Sequence, residues 1–408
     1  METSGRLPSD PCLSISSKLD AMSVIKPGIS AHAPALGETR WRATVGAVDV
    51  CFGVGERARL PSIVTELGAC RPLIITDPGV RATGLVDELG AALMQLGCAC
   101  AVFDDVQENP STACVESGTE AARRHEVDLL IGFGGGSAMD TAKGVNFLYS
   151  NGGCMEDYEG TGKAHAEMLP SIGVPTTAGT GSEAQSYALI SRLDDHRKMA
   201  CGDPGARFRA AVLDPGITGT VPRDVRVATG IDAVSHALES LVSSRANPIS
   251  RLYSREAWHL LAAGFEPAVA TPEDLDARGQ MLLGAHLAGA AIERSMLGAA
   301  HACANPLTAQ FGITHGIAVG VMLPYIVRYN LASDAAATEY DVLEINDLPE
   351  YLTAILGTGK VAARLRDHAV PQASLVELAA QAAQQWTANF NPRPVDASTL
   401  LGIYESAY

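Results

Sequence analysis

Up to about residue 215, short apolar runs alternate with helical patterns, and from about residue 224 onward only helical patterns remain. That switch constrains the fold of this 408-residue chain more than any other feature. "PLIITD" (72–77), "CACAVFDDV" (98–106), "DLLIGFGGG" (128–136) and "PSIGVPTT" (170–177) read as strands, apolar enough to be covered on both faces. "GLVDELGAALMQLG" and "STACVESGTEAARRHE" lie between them with helical periodicity. Strand, helix, strand in repetition predicts a parallel sheet with helices on both faces, and "YALISRL" and "RAAVLDP" read as further strands closing it. After "DPGITGTVPRD" come "RVATGIDAVSHALESLVSS", "EDLDARGQMLLGAHLAGAAIERS" and "SLVELAAQAAQQWTA", which predict an all-helical unit. The expected division is a disordered N-terminal tail over 1–40, an α/β domain with a parallel sheet over 41–220 and an all-α domain over 221–408.

Composition narrows the function. The formal charge of −16 argues against sequence-independent nucleic-acid binding, which needs Lys and Arg facing phosphates. No apolar run reaches the roughly 18 residues that span a bilayer. The first 40 residues are rich in Ser, Pro and Gly and lack the apolar stretch of a secretory signal. Nine cysteines follow no disulfide framework, so reduced, buried thiols in the cytoplasm are expected.

Two loops carry the signs of a nucleotide crevice. In "IGFGGGSAMDTAKGV" (131–145) a strand ends in Gly134, Gly135 and Gly136 and a helix begins. Glycine permits positive φ and close backbone approach, Ser137 can cap the helix, and the helix N-terminus favours a pyrophosphate. The pattern is neither G-x-G-x-x-G nor a Walker loop. "VPTTAGTGSE" (174–183) follows another strand and offers the hydroxyls of Thr176, Thr177, Thr180 and Ser182. Asp77 in "TDPG" ends an earlier strand. Its carboxylate either accepts from a ribose diol, favouring NAD over NADP, or merely forms a turn.

A second constellation suits a metal. Asp232 and His236 in "GIDAVSHALES" sit at i, i+4 on a helix and share a face. His301 and His315 flank "HACANPLTAQFGITHG", where the chain turns back. One carboxylate and three imidazoles suit Fe²⁺ or Zn²⁺. His125, His259, His286 and His368 read as ordinary core or surface residues, and Cys303 as a packed thiol.

From about residue 48 to the C-terminus the chain resembles the iron-containing (group III) alcohol dehydrogenases. The resemblance rests on "GGGSAMDTAK", "PTTAGTGSE", "GIDAVSHALES", the His301-to-His315 segment and "NPRP", in a consistent order. It implies that Asp232, His236, His301 and His315 hold the metal, Fe²⁺ before Zn²⁺. It implies an NAD site along Asp77, Asn109, Gly135, Gly136, Ser137, Asp140, Thr176, Thr177, Thr180, Ser182 and Lys198. The implied activity is hydride transfer between NAD(H) and a small primary alcohol or aldehyde, in a homodimer or larger homo-oligomer. One departure stands out: many members have a second histidine where this chain has Asn305, which cannot titrate. Alternatives of the same fold are a polyol or hydroxy-acid dehydrogenase, a dehydroquinate-synthase-like lyase and a metal-free reductase of the maleylacetate type. A catalytically silent NAD- or metal-binding protein is the alternative from another class.

Overall fold

The computed structural model describes residues 35–194 and 197–408. Its strands are β1 (Trp41–Val45), β2 (Val48–Phe52), β3 (Pro72–Ile75), β4 (Ala101–Phe103), β5 (Leu129–Gly134), β6 (Gly160–Thr161), β7 (Ser171–Pro175), β8 (Tyr187–Ser191), β9 (Lys198–Gly202) and β10 (Ala210–Leu213). Seven of them make the main sheet in the order β1-β2-β10-β7-β5-β3-β4. Every pairing in it is parallel except that of β1 with β2, an antiparallel edge. The helices of this half are α1 (Leu60–Glu66), α2 (Pro78–Ala82), α3 (Leu85–Gln95), α4 (Thr112–His125) and α5 (Gly136–Asn151).

Strand geometry decides which core each residue joins. Successive side chains point to opposite faces. Leu73, Ile75 and Leu130 therefore enter one apolar cluster, with residues of α4 and α5. Ile74, Leu129, Ile131 and Phe133 enter another, with residues of α1 and α3. Two covered faces explain the unbroken apolar runs of these strands.

One strand assignment needs correction. "YALISRL" does not close the main sheet. β8 pairs antiparallel with β9, which pairs parallel with β6, as a separate three-stranded sheet. A strand and its short-range return can satisfy each other's backbone without joining the main ladder, and periodicity does not say which ladder a strand joins.

From Arg223 the chain is helical: α6 (Arg223–Val242), α7 (Pro248–Ala270), α8 (Leu275–Ile292), α9 (Ala299–Phe311), α10 (His315–Asn330), α11 (Asp334–Asp341), α12 (Leu348–Gly359), α13 (Leu375–Ala383) and α14 (Ala397–Ala407). Helix α13 is shorter than its apolar pattern, and a 3₁₀ segment, Trp386–Phe390, follows it. The largest apolar cluster gathers these helices with Val48, Val50 and Phe52 of β2 and Ala211 and Leu213 of β10.

The expected N-terminal tail falls mostly on residues outside those described. Its last few residues do not trail free: Leu36 is buried in the helical cluster, and the Gly37 N–H donates to Asp276. Among the described residues all eight cysteines are free, and no helix is long and apolar enough to cross a membrane.

Candidate metal and nucleotide centre

Strand order builds the crevice. β4, β3, β5 and β7 are consecutive neighbours and run parallel, so the loops at their C-terminal ends lie along one edge. These loops carry Asn109, Asp77, the Gly135–Ser137 turn and the Thr176–Ser182 loop in that spatial order, at the edge where open α/β sheets bind ligands.

The glycines of the turn answer to space. A Cβ on Gly136 would lie 2.6 Å from Thr180 Cγ2 and 3.2 Å from its Cβ, and one on Gly135 would lie 3.4 Å from Thr177 Oγ1. The glycine turn and the threonine loop are thus in contact, and only glycine lets them close. Ser137 does not cap α5 as expected. Gly135 occupies the N-cap position and no side chain caps the helix, so no side chain competes with a ligand for the N–H groups of that first turn, although Ala138 N donates to the Gly135 carbonyl at 3.1 Å. Asp77 does what a turn former does: its Oδ1 accepts from Val80 N at 2.9 Å and caps α2. Its Oδ2 would lie 3.2 Å from a Cβ on Gly134, so the same carboxylate borders the glycine turn. Asn109 has φ 52°, a left-handed conformation that asparagine tolerates, and is exposed.

Beneath the two loops lies a residue the sequence reading passed over. Lys143 is buried, and its Nζ donates to Ser182 O (2.7 Å), Ser182 Oγ (2.8 Å) and Tyr187 O (2.7 Å). Ser182 Oγ in turn donates to Asp140 Oδ1 at 2.7 Å. Burial pushes the Lys143 ammonium down to about 8 and pushes the Asp140 carboxyl up. An invested charge with three acceptors fixes the loop's shape. The signal was in "DTAK", three residues past Asp140, on the inward face of α5.

Asp232, His236, His301 and His315 meet in the helical half. His236 Nε2 and His301 Nε2 are 3.1 Å apart, and Asp232 Oδ1 stands 3.5, 3.6 and 3.9 Å from the Nε2 atoms of His236, His301 and His315. One ligand atom each from Asp232, His236 and His301 lies within 4.8 Å of the others. His315 is the outermost, with its side chain 27% exposed against 5–7% for the other three.

Asp232 Oδ1 is buried with no hydrogen-bond partner, and the imidazole nitrogens facing it are too far to provide one. A buried orphan carboxylate oxygen is costly, and a divalent cation among these donors removes that cost. The donor set therefore fits such an ion. Burial works against charge throughout the cluster. It pushes His315 down to about 3 and also depresses His236, while the three imidazoles outweigh it at Asp232 and hold that carboxyl well below the usual range. His301 alone goes the other way, to about 9, because Glu239 and Asp232 overcome the effect of burial.

Glu239 is the second residue that sequence reasoning missed. It lies three residues beyond His236 on α6, accepts from Ala300 N at 2.7 Å through Oε1, and meets His301 Nδ1 through Oε2. That contact turns the Nε2 lone pair of His301 toward the cluster and sets its tautomer. Glu239→Gln is expected to weaken divalent-metal affinity about 10- to 100-fold, as loss of such an outer partner typically does. Competition against a chromogenic chelator measures this, and an unchanged affinity would refute it. Asn391 of "NPRP" supports the same helix: its Oδ1 accepts from Ala299 N at 3.3 Å at the start of α9.

The two centres share a wall. A Cβ on Gly179 would lie 2.5 Å from Thr229 Cβ on α6, one turn before Asp232. Gly181, at φ 58°, presses against Gly289 of α8. Burial depresses the Lys198 ammonium, opposed by Asp140 of the crevice and Asp232 of the cluster, so Lys198 is within electrostatic reach of both. Cys303 is packed in the helical core, as read, with its thiol pushed up to about 12 by burial. His286 is a core histidine, as read, 3.1 Å from Glu183.

Residues 47–215 match the family model for iron-containing alcohol dehydrogenase, and residues 226–408 match that for the C-terminal part of the Fe-containing alcohol dehydrogenase family. A long-chain-alcohol dehydrogenase from Geobacillus thermodenitrificans is 34% identical over 380 residues, covering 87% of this chain and 94% of that protein. An NAD-dependent methanol dehydrogenase from Bacillus methanolicus is 32% identical over 280 residues, covering 69% of this chain and 74% of that protein. A crystal structure of 1,3-propanediol oxidoreductase superposes with a TM-score of 0.84 at 28% identity, covering 91% of this chain and 99% of that one.

Proposed function

Because this chain belongs to the iron-containing alcohol dehydrogenase family and is an oxidoreductase acting on alcohols, we propose that it moves a hydride between NAD(H) and a small primary alcohol or aldehyde at the junction of its two halves. The family implies NAD and a divalent metal, and the reading here is Fe²⁺ held by Asp232, His236, His301 and His315. When bound, such an ion acts as a Lewis acid that favours the alkoxide form of the alcohol. The protein's own residues do the rest. Glu239 orients His301. The Gly135–Ser137 turn and the N-terminus of α5 receive the pyrophosphate, Asp77 and Asn109 border the adenosine end, and Thr176, Thr177, Thr180 and Ser182 line the wall toward the metal. Asp140 and Lys198 complete the cofactor site, with Lys198 near the ribose. The single observation that carries this reading is the orphaned Asp232 Oδ1 ringed by three imidazole nitrogens, one helical turn from the loop that walls the crevice.

The same reading places a dinucleotide-binding domain over 41–220 and a metal-binding domain over 221–408, in a cytoplasmic homodimer or larger assembly. The test joins metal analysis to absorbance at 340 nm. Protein prepared with Fe²⁺ or Zn²⁺ is expected to reduce NAD⁺ with short primary alcohols and to oxidise NADH with the matching aldehydes, Fe²⁺ giving the higher rate. Full turnover in metal-free protein would overturn the reading, and NADH binding without turnover of any alcohol or aldehyde would favour a silent binder.

A further inference from the structure

His286, on α8, is a fully buried ring that the metal and cofactor chemistry leave unused. Its Nδ1 lies 3.1 Å from Oε1 of Glu183, which is also buried. A carboxylate only accepts, so Nδ1 carries the proton of that bond. The other ring nitrogen, Nε2, is buried with no hydrogen-bond partner. An apolar side chain of similar size would fill the space without stranding a nitrogen, so packing alone does not account for an imidazole here. Glu183 directly follows Ser182, the last residue of the hydroxyl loop that walls the nucleotide crevice. The same turn of α8 presses on that loop. A Cβ on Gly181 would lie 2.6 Å from the carbonyl oxygen of Ala285 and 2.8 Å from Gly289 Cα.

We propose that His286 is a positioning residue for the cofactor: its bond to Glu183 fixes the Thr176–Ser182 loop against α8 and so sets the affinity for NAD(H). This rests on the NAD-dependent dehydrogenase reading above. Three consecutive residues carry three anchors. Gly181 meets the backbone of α8, Ser182 accepts from Lys143 through its carbonyl and its hydroxyl, and Glu183 meets His286. Thr180 is tied to the same stretch, because Ser182 N donates to its Oγ1 at 3.2 Å and Gln185 Nε2 to its carbonyl at 2.9 Å. Thr180 Cγ2 is in turn the atom that a Cβ on Gly136 of the glycine turn would meet. Without the imidazole, Glu183 is a buried carboxylate with that partner gone. It must turn toward water, and it draws Ser182 and Thr180 with it. Helix α8 keeps its own ladder of backbone bonds, so the displacement falls on the loop rather than on the helical core.

The test combines NADH fluorescence titration with steady-state kinetics of the metal-loaded enzyme. His286→Leu is expected to raise Kd for NADH and KM for NAD⁺ about tenfold, as loss of one partner of a buried polar pair does, while kcat at saturating NAD⁺ stays within about twofold. His286→Asn keeps an N–H donor near the place of Nδ1 and is expected to return both constants most of the way to the wild-type values. Glu183→Met combined with His286→Leu removes both polar partners and strands neither, so it gives the same readout if the single variant folds poorly. It is expected to keep the raised Kd. Variants that melt lower yet bind NADH as tightly as the wild type would show a purely structural pair and overturn the inference. An Asn variant as weak as the Leu variant would overturn it too. Failure of the wild type to bind NADH at all would instead remove the reading beneath it.

Discussion

Asp232→Ala is expected to abolish metal binding and cut alcohol-dependent NAD⁺ reduction by about 10³-fold or more. The size follows from the several kcal/mol that Lewis-acid stabilisation supplies, at 1.36 kcal/mol for each factor of ten. The carboxylate is the anion of the donor set, and it lies within 3.9 Å of all three imidazole Nε2 atoms. Without it a dication meets three neutral rings and no opposite charge in their midst. The fold is expected to survive, because the deleted oxygen is itself a buried atom without a hydrogen-bond partner. Metal should raise the melting temperature of the wild type and leave that of Asp232→Ala unchanged. NADH fluorescence should still report binding, since the crevice is built from other elements. Retention of tightly bound metal with normal turnover would end the four-ligand account.

Gly316→Ala is the substitution expected to damage both stability and metal binding from outside the ligand set. Gly316 follows His315 at the start of α10, where that helix meets α6. A Cβ there would lie 2.0 Å from the carbonyl oxygen of Ala228 and 3.1 Å from Asp232 Cβ. The obstacle is backbone, so no rotamer change relieves it, and the two helices must part. His315 rides on one and Asp232 on the other, so the cluster opens with them. Overpacking of this kind costs about 3 kcal/mol or more. Denaturant melts and metal titration measure the two consequences. Gly357→Ala and Gly402→Ala are the controls: both sit within helices and a Cβ on either meets nothing within 4 Å. They are expected to stabilise by about 0.5–1 kcal/mol. A Gly316→Ala variant as stable as these would show that the helices are not so tightly apposed.

Asp232 and His236 were legible as a pair because a helix repeats its face every three to four residues, and "GIDAVSHALES" places them four apart. The same rule reaches Glu239, yet its role required knowing that His301, 62 positions later, brings Nδ1 to it. Lys143 was likewise visible as a residue and silent as a function until Ser182 O and Tyr187 O were found around it.

The sequence by itself determined the two kinds of architecture, the strand-to-helix glycine turn, the hydroxyl loop and the candidate ligands, because each depends on spacing within a short stretch and on the chemistry of single side chains. Tertiary structure alone decided that β8 leaves the main sheet, that Gly135 starts α5 in place of a Ser137 cap, that Asp232 Oδ1 lacks a partner, and that Asn305 pairs with Gln385. Each of these depends on which distant surfaces meet, and a local pattern carries no information about its partner across the fold.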